Sequence, residues 1–268
     1  MFEWLPSGIT PFENLTAGAI FLVALAHCGG CFIRGAFGFG SNMPIIVATT
    51  FIIGPHHAVL LALMTTIIAQ AHLLPSGFRT ADWKVTKPLI LGMVVGTLFG
   101  TWVFTRLSGL ALEIILGTLI VVIILMDTFK LVEKLIVNLD IRSRMITAGF
   151  SFFGGTIGGL SGAGAFYFLV VYLKHACPSP GALRGTNVML SSITMFMRAT
   201  ALTMAGLITP TLITEGLFLG LPILFSTWLG AHAFKLATNR RFFFFLQVLL
   251  LAGAAALVLK GVSQILAS

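Results

Sequence analysis

Long apolar runs, cut by glycine, proline and clustered charge, set the pattern of the chain. Cutting at those points gives ten segments, at roughly 15–33, 36–53, 57–75, 86–105, 109–127, 145–161, 163–174, 180–207, 211–234 and 242–266. A helix needs about 20 apolar residues to cross a bilayer, so this spacing predicts helical membrane segments throughout. The longest polar interval, DTFKLVEKLIVNLDIRSRM at 127–145, separates two groups of five. The expected division is an N-terminal repeat over 1–135 and a C-terminal repeat over 136–268.

The two groups resemble each other. GAFGFGSNMPIIV (35–47) matches GLSGAGAFYFLVV (159–171) in place and type, and a Pro-containing turn follows each, GPHHAV and CPSPGAL. Gly92-x-x-x-Gly96 pairs with Gly216-x-x-x-Gly220, and Gly100-Thr101-Trp102 with Ser226-Thr227-Trp228. A duplicated unit with an odd number of crossings must insert its second copy upside down. Basic residues test this. Alternating from the N-terminus, one side receives Arg34, Arg79, Lys84, Lys87, Lys130, Lys134, Arg142, Arg144, Lys174, Arg184, Lys235, Arg240 and Arg241, and the other only Arg106 and Lys260. The positive-inside rule makes the first side cytoplasmic and turns both termini outward. The parity survives if the first two segments form a re-entrant hairpin.

Composition agrees with this pattern. Apolar residues are 57% and charged residues 9% of 268, with mean hydropathy +1.04, whereas a soluble domain carries about 25% charge. A soluble particle could not cover its surface with so few charges. The net charge of +8 sits in short gaps between apolar runs, so it reads as loop charge and not as a nucleic-acid footprint. Three cysteines, Cys28, Cys31 and Cys177, cannot make a disulfide framework. The N-terminal MFEWLPSGITPFENL lacks the basic region of a cleaved signal peptide. The expected fold class is an all-α polytopic membrane protein of two inverted-topology repeats, each of about five helical segments. Gly-rich broken or re-entrant helices are expected at the repeat interface. That architecture belongs to secondary transporters, whose sites form where broken helices meet.

Ionisable and glycine positions inside the spans are the candidate site. Arg198 lies deep within NVMLSSITMFMRATALTMAG with no acid in any span centre. It is either bonded to carbonyls of a broken helix or free to grip an anion with its guanidinium fork. Arg34 is a cytoplasmic-side charge if the first two segments both span, and a deep charge if they re-enter. Gly38 and Gly40, with Gly162 and Gly164, allow non-helical backbone at matching places in both halves. Helices starting at Ser41-Asn42 and near Gly164 would turn free N–H groups toward an anion, and Ser41, Asn42 and Ser161 could cap those starts. Gln70, His72 and Asn187 are costly to bury and could line a polar path, although His27 and His72 are equally plausible as packed imidazoles.

The paired Gly-rich stretches, each with an apolar run and a Pro turn, and the loop TADWK (80–84), resemble the sulfite exporter TauE/SafE family. The first half supplies Gly38-Phe39-Gly40-Ser41-Asn42 and Asp82-Trp83. The second supplies Gly162-Ala163-Gly164 and a degenerate Leu207-Ile208-Thr209-Pro210. Ser41 and Asn42 stand where that family's pattern has further glycines, and the second half lacks the acidic loop residue. The resemblance implies a transporter of sulfite or an organosulfonate such as sulfoacetate in a bacterial inner membrane. Its substrate would be a small anion. A coupling ion, H+ or Na+, stays open, and no cofactor or nucleic acid is expected.

Other motifs point nowhere. Cys28-Gly-Gly-Cys31 lies in an apolar run without the context of a redox fold, and His56-His57 has no metal-ligand partners nearby in sequence. The glycines at 92, 96 and 100 read as a helix-packing ladder. Phe242–Phe245 beside Arg240-Arg241 reads as an interfacial anchor. The eight acids fall at or near loops or span ends, so a carboxylate proton relay is not expected. An intramembrane enzyme would need a nucleophile with a base or a metal cluster within the spans, and neither is evident. The alternatives are an anion channel or a transporter of another small carboxylate or oxyanion.

Overall fold

The computed structural model describes residues 9–38, 40–137, 143–162, 165–233, 251 and 253–263, and it is helical throughout, with no strand among the described residues. The helices are α1 (Ala17–Phe37), α2 (Asn42–Ile53), α3 (Pro55–Thr80), α4 (Trp83–Arg106), α5 (Gly109–Thr128), α6 (Leu131–Val137), α7 (Arg144–Ser161), α8 (Ala165–Ala176), α9 (Pro180–Met204), α10 (Pro210–Phe218) and α11 (Gly220–Ala233), with α12 at Gly253–Ser263. Four of them (α1, α3, α4 and α5) are long and apolar enough to cross a bilayer, and α10 with α11, bent by 49° to each other, reach that length and apolarity only as a pair, as a broken span or a re-entrant loop would. Large side chains such as Phe21, Leu25, Leu91, Val95, Trp102, Leu221 and Phe225 are exposed along these helices, as a lipid solvent requires. The polar stretch 127–145 holds α6, which reaches α8 through Glu133 and Lys174 (3.7 Å). Most of the expected tenth segment, with residues 236–241 and Phe242–Phe245, lies outside the described residues.

Local chemistry explains the boundaries. Pro55, Pro180 and Pro210 sit at the first turns of α3, α9 and α10, where a missing N–H costs nothing. Thr16, Asp82, Ser179 and Thr209 cap helices with their side chains. Asp82, in the TADWK loop, accepts from Lys84 N and Val85 N, and its own N–H donates to Thr186 Oγ1 of α9 (2.9 Å). α1 and α7 both stop at a left-handed glycine, Gly38 (φ 82°) and Gly162 (φ 67°), a conformation other residues avoid. The helices that follow, α2 and α8, have 12 residues each. At 1.5 Å per residue they reach about 18 Å, too short for a hydrocarbon core of about 30 Å. The second and seventh segments are therefore partial spans.

Glycine seams hold the helices together. A Cβ on Gly96 or Gly100 of α4 would collide with the carbonyls of Phe152 and Thr156 on α7, and one on Gly155 or Gly159 with those of Met93 and Thr97. α1 meets α11 in the same way, with Gly35 against the Thr227 carbonyl and Gly230 against that of Phe32. The ladder at 92, 96 and 100 is thus a packing surface. In these contacts Gly230 of α11 plays the part of Gly100 in α4, one helical turn from the register that Ser226-Thr227-Trp228 suggests by sequence. Gly216 instead lies against Met64 of α3. α9, 25 residues long, is long enough to span, but it carries a polar face turned inward: Thr186, Asn187, Ser191, Thr194 and Arg198 are all buried.

Candidate functional site

The two helix breaks converge on α9 and α3. Arg34, in the last turn of α1, is 2% exposed and is not a surface charge. Its Nε donates to Ser41 Oγ (2.8 Å), Nη1 to Gln70 Oε1 (2.6 Å) and Nη2 to Asn42 Oδ1 (3.4 Å). The guanidinium thus ties the end of α1 to the start of α2 and to the middle of α3. Gln70 passes the network onward, its Nε2 lying within reach of the Val188 carbonyl, Ser191 Oγ and Ser192 Oγ of α9. Every acceptor around Arg34 is neutral.

Two asparagines lace the breaks together. Asn42 Nδ2 donates to the carbonyl of Gly162, and Asn187 Nδ2 donates to that of Gly38 (3.3 Å). Each left-handed glycine that ends a helix therefore has its carbonyl satisfied by an amide from the other half of the chain. Without those donors the carbonyls would be buried acceptors with no partner, at a cost of about 1–3 kcal/mol each. Arg184 adds a third tie, from its Nη2 to the carbonyl of Gly35 (2.8 Å), and its side chain packs on Gly38.

Arg198 stands differently. It is 3% exposed, and its Nε and Nη2 are buried with no hydrogen-bond partner among the described residues. These two atoms form one edge of the guanidinium, the edge that receives two oxygens of one oxyanion side by side. The ring of Phe104 lies 5.4 Å from Cζ, and Gly162 leaves room for Nη1 where any Cβ would collide with it. A cavity of about 20 Å³ opens here, lined by Arg198, Asn42, Gly162, Thr97 and Thr194, with Leu63 and Met195 as apolar walls. That space holds about one water molecule. The buried acids among the described residues are committed elsewhere: Glu113 pairs with Lys260 (2.8 Å), and Glu215 accepts from Phe12 N (2.8 Å) and meets His57 Nε2 (2.6 Å).

Most of the expected site set is found in or beside this network: Arg34, Gly38, Ser41, Asn42, Gln70, Ser161, Gly162, Asn187 and Arg198. Gly40 (φ 89°) lies in the α1–α2 break, against Ile33. Gly164 lies outside the described residues. Three expectations change. His72 is exposed, because two residues along a helix from inward-facing Gln70 is nearly the opposite face. His27 is the packed imidazole, fully buried with Nδ1 2.8 Å from Thr65 Oγ1. Neither serine caps a following helix. Ser41 precedes α2 without a side-chain capping bond and instead takes Arg34 and reaches Asn42, whereas Ser161 donates back to the Ile157 carbonyl within α7 (2.7 Å).

Thr97, Phe104 and Arg184 were not among the expected site residues. Thr97 follows Gly96 in the packing ladder and so is carried into the interior with it. Arg184 sits one turn into α9, where sequence alone marks it as loop charge. Among the described residues no group of His, Cys, Asp and Glu could hold a metal ion.

The site thus presents buried positive charge without a buried acid beside it, at the meeting of two broken helices in a membrane protein. Comparison with curated proteins and with solved structures found no significant match. The family model for the sulfite exporter TauE/SafE matches residues 21–257, which take in both glycine breaks, every candidate residue and nearly all of the membrane segments, and the chain belongs to that family, a family of membrane transporters.

Proposed function

We propose that the chain is a secondary transporter that carries a small sulfur-containing anion, sulfite or an organosulfonate such as sulfoacetate, across the bacterial inner membrane by alternating access. The observation that carries the reading is the unpartnered Nε–Nη2 edge of Arg198 beside its small cavity. An isolated buried guanidinium is costly, and a substrate oxyanion removes that cost while it is bound. Asn42, Thr97 and Thr194 line the same cavity and supply neutral polar contacts. Arg34, each of whose three nitrogens already meets a protein oxygen, acts as the anchor of the α1–α2 break.

Inverted repeats over 1–135 and 136–268 are supported by the recurrence of one contact pattern. Gly35 and Phe32 of α1 meet Thr227 and Gly230 of α11 as Gly159 and Thr156 of α7 meet Thr97 and Gly100 of α4. Within each of the two sets of helices the paired residues keep one constant offset. Positive charge on one side of the spans supports a cytoplasmic face there and outward termini. The cavity is far smaller than a sulfonate, so transport requires the halves to move. The breaks at Gly38 and Gly162 and the bend between α10 and α11 are the places where rocking is most easily absorbed.

Purified protein in liposomes tests the proposal. Saturable movement of sulfite or sulfoacetate is expected, and imposing H+ or Na+ gradients in turn identifies the coupling ion. No movement of any sulfonate overturns the substrate, and a large flux that never saturates makes the protein an anion channel instead.

A further inference from the structure

A second cavity, of about 710 Å³, lies away from the helix breaks, where α4 and α7 begin and α8 ends. Lys84, Arg144 and His175 line it together with the hydroxyl-bearing Thr147 and Tyr172, over an apolar floor of Val85, Pro88 and Ala176. The neighbouring acids are occupied elsewhere: the Asp82 carboxylate accepts the first N–H groups of α4, and Glu133 faces Lys174. This is a basic pocket at the end of the molecule where positive charge accumulates.

Beside it, an apolar groove of about 460 Å³ runs along α7, lined by Met126, Ile146, Gly149, Phe150, Phe153 and Ile157 among other apolar positions. From Ile146 to Ile157 the helix rises about 16 Å, close to one leaflet, or half of the roughly 30 Å hydrocarbon core. Tyr172 joins the two spaces. Its hydroxyl is 3.1 Å from Thr147 Oγ1 in the basic pocket, and its ring lies 5.9 Å from that of Phe150 in the groove.

A cationic pocket at the membrane surface that continues into an apolar groove one leaflet deep matches an anionic phospholipid in both charge and length. We infer that the structure holds an anionic lipid of the cytoplasmic leaflet here, with its phosphate among Lys84, Arg144 and His175 and an acyl chain along α7. The inference is independent of the Arg198 site, because no residue of this pocket lies there, and it rests on the proposed topology only for which leaflet supplies the lipid.

The test uses the full chain in detergent, with lipid binding read by native mass spectrometry and by thermal stabilisation. The ligands are phosphatidylglycerol, phosphatidylcholine and inorganic phosphate. Wild-type protein is expected to prefer phosphatidylglycerol to phosphatidylcholine by about 25-fold, from about fivefold for each of the two fixed cations. Lys84→Gln and Arg144→Gln, both at exposed positions, should each lower phosphatidylglycerol binding by about fivefold. Gly149→Leu fills the groove without touching the charges, since a Cβ at Gly149 meets nothing within 4 Å, and should also lower it. Equal binding of the two lipids overturns the inference. Stabilisation by inorganic phosphate as large as that by the lipid shows a soluble-anion site and overturns it too. Unchanged lipid binding in Gly149→Leu removes the acyl chain from the groove and with it the lipid assignment.

Discussion

Arg34 and Arg198 are both buried arginines, yet the structure predicts opposite consequences of replacing them. Arg198→Met removes a charge whose Nε and Nη2 have no hydrogen-bond partner among the described residues. Exchange of a buried ionic group for a well-packed apolar one is neutral or stabilising by about 1–4 kcal/mol. Loss of the contact with Phe104 offsets about 0.5–2 kcal/mol of that gain. The ligand-free Arg198→Met protein should therefore unfold at or above the wild-type temperature. Its response to substrate should vanish, because losing a charge-assisted contact in a dry site costs about 2–5 kcal/mol, or roughly 30- to several-thousand-fold in affinity. Arg198→Lys keeps the charge without the two-toothed edge and should fall between these limits. Arg34→Met, in contrast, strands Gln70 Oε1, at about 1–3 kcal/mol for a buried group left unsatisfied, and leaves Ser41 Oγ and Asn42 Oδ1 with only their bond to each other. That protein should be destabilised before any ligand is added. The assay is thermal unfolding of purified protein with and without sulfite or sulfoacetate at saturating concentration. Normal ligand stabilisation in Arg198→Met would refute its role as an anion ligand. Equal loss of ligand-free stability in the two methionine variants would refute the distinction drawn between them.

Four other predictions rest on separate contacts. Gly159→Ala should destabilise the protein, because its Cβ would meet the Thr97 carbonyl, while Gly18→Ala, with nothing within 4 Å, should not; equal melting temperatures would show the α4–α7 seam to be loose. Asp82→Ala removes the cap of α4 and should cost about 1 kcal/mol, so an unchanged unfolding midpoint would argue against the capping bonds. Glu215→Ala strands the Phe12 N–H and should expose residues 9–16 to protease, and resistance equal to wild type would count against that tether. In a background lacking the three native cysteines, a cysteine at Ser108 should react with an external impermeant thiol reagent and one at Ser76 should not, and the reverse would invert the proposed topology.

Apolar periodicity and punctuation located the helices closely where the solvent on one side is lipid. Pro55 and Pro180, and the glycines at 38 and 162, end or begin elements by their own backbone chemistry, so their signal is local. Length was harder to read. The segment at 36–53 is an apolar run of 18 residues, but the helix that forms there has only 12, whereas the run at 163–174 is by sequence already as short as the 12-residue α8. The ninth segment reads as continuous, yet it divides into α10 and α11 around Leu219, where Gly220 and Pro222, which has no N–H to donate to the Phe218 carbonyl, follow within three residues. Hydropathy does not record that bend, although Gly220 and Pro222 mark it in the sequence. The register of the glycine seam was likewise one turn off in the second half, because small residues at several positions satisfy the same pattern and only the facing carbonyls choose among them.

The site was legible as a set of residues more than as an arrangement. Cost identifies it: Gln70, Asn187 and Arg198 are expensive to bury and stand within apolar runs, whereas Arg34 stands between the first two segments and reads equally as a cytoplasmic-side charge. Cost alone cannot separate His27 from His72, since both interrupt apolar sequence and only the face of the helix decides which is buried. It also cannot separate the two arginines. Arg34 lies seven and eight residues before the side chains that receive it, Ser41 and Asn42, yet the turn at Gly38 that folds them back is a matter of backbone geometry. Arg198 reaches Phe104 and Gly162 only because α4, α7 and α9 pack together. The difference that matters for function is the free edge of one guanidinium against the filled edge of the other. It arises because the α1–α2 break brings side-chain oxygens with it, whereas at Gly162 the described residues offer Arg198 none. A protein that gives each nitrogen of one arginine an oxygen, and among the described residues leaves one edge of the other without any, holds its α1–α2 break with the first and, in the function proposed above, offers the second to an anion.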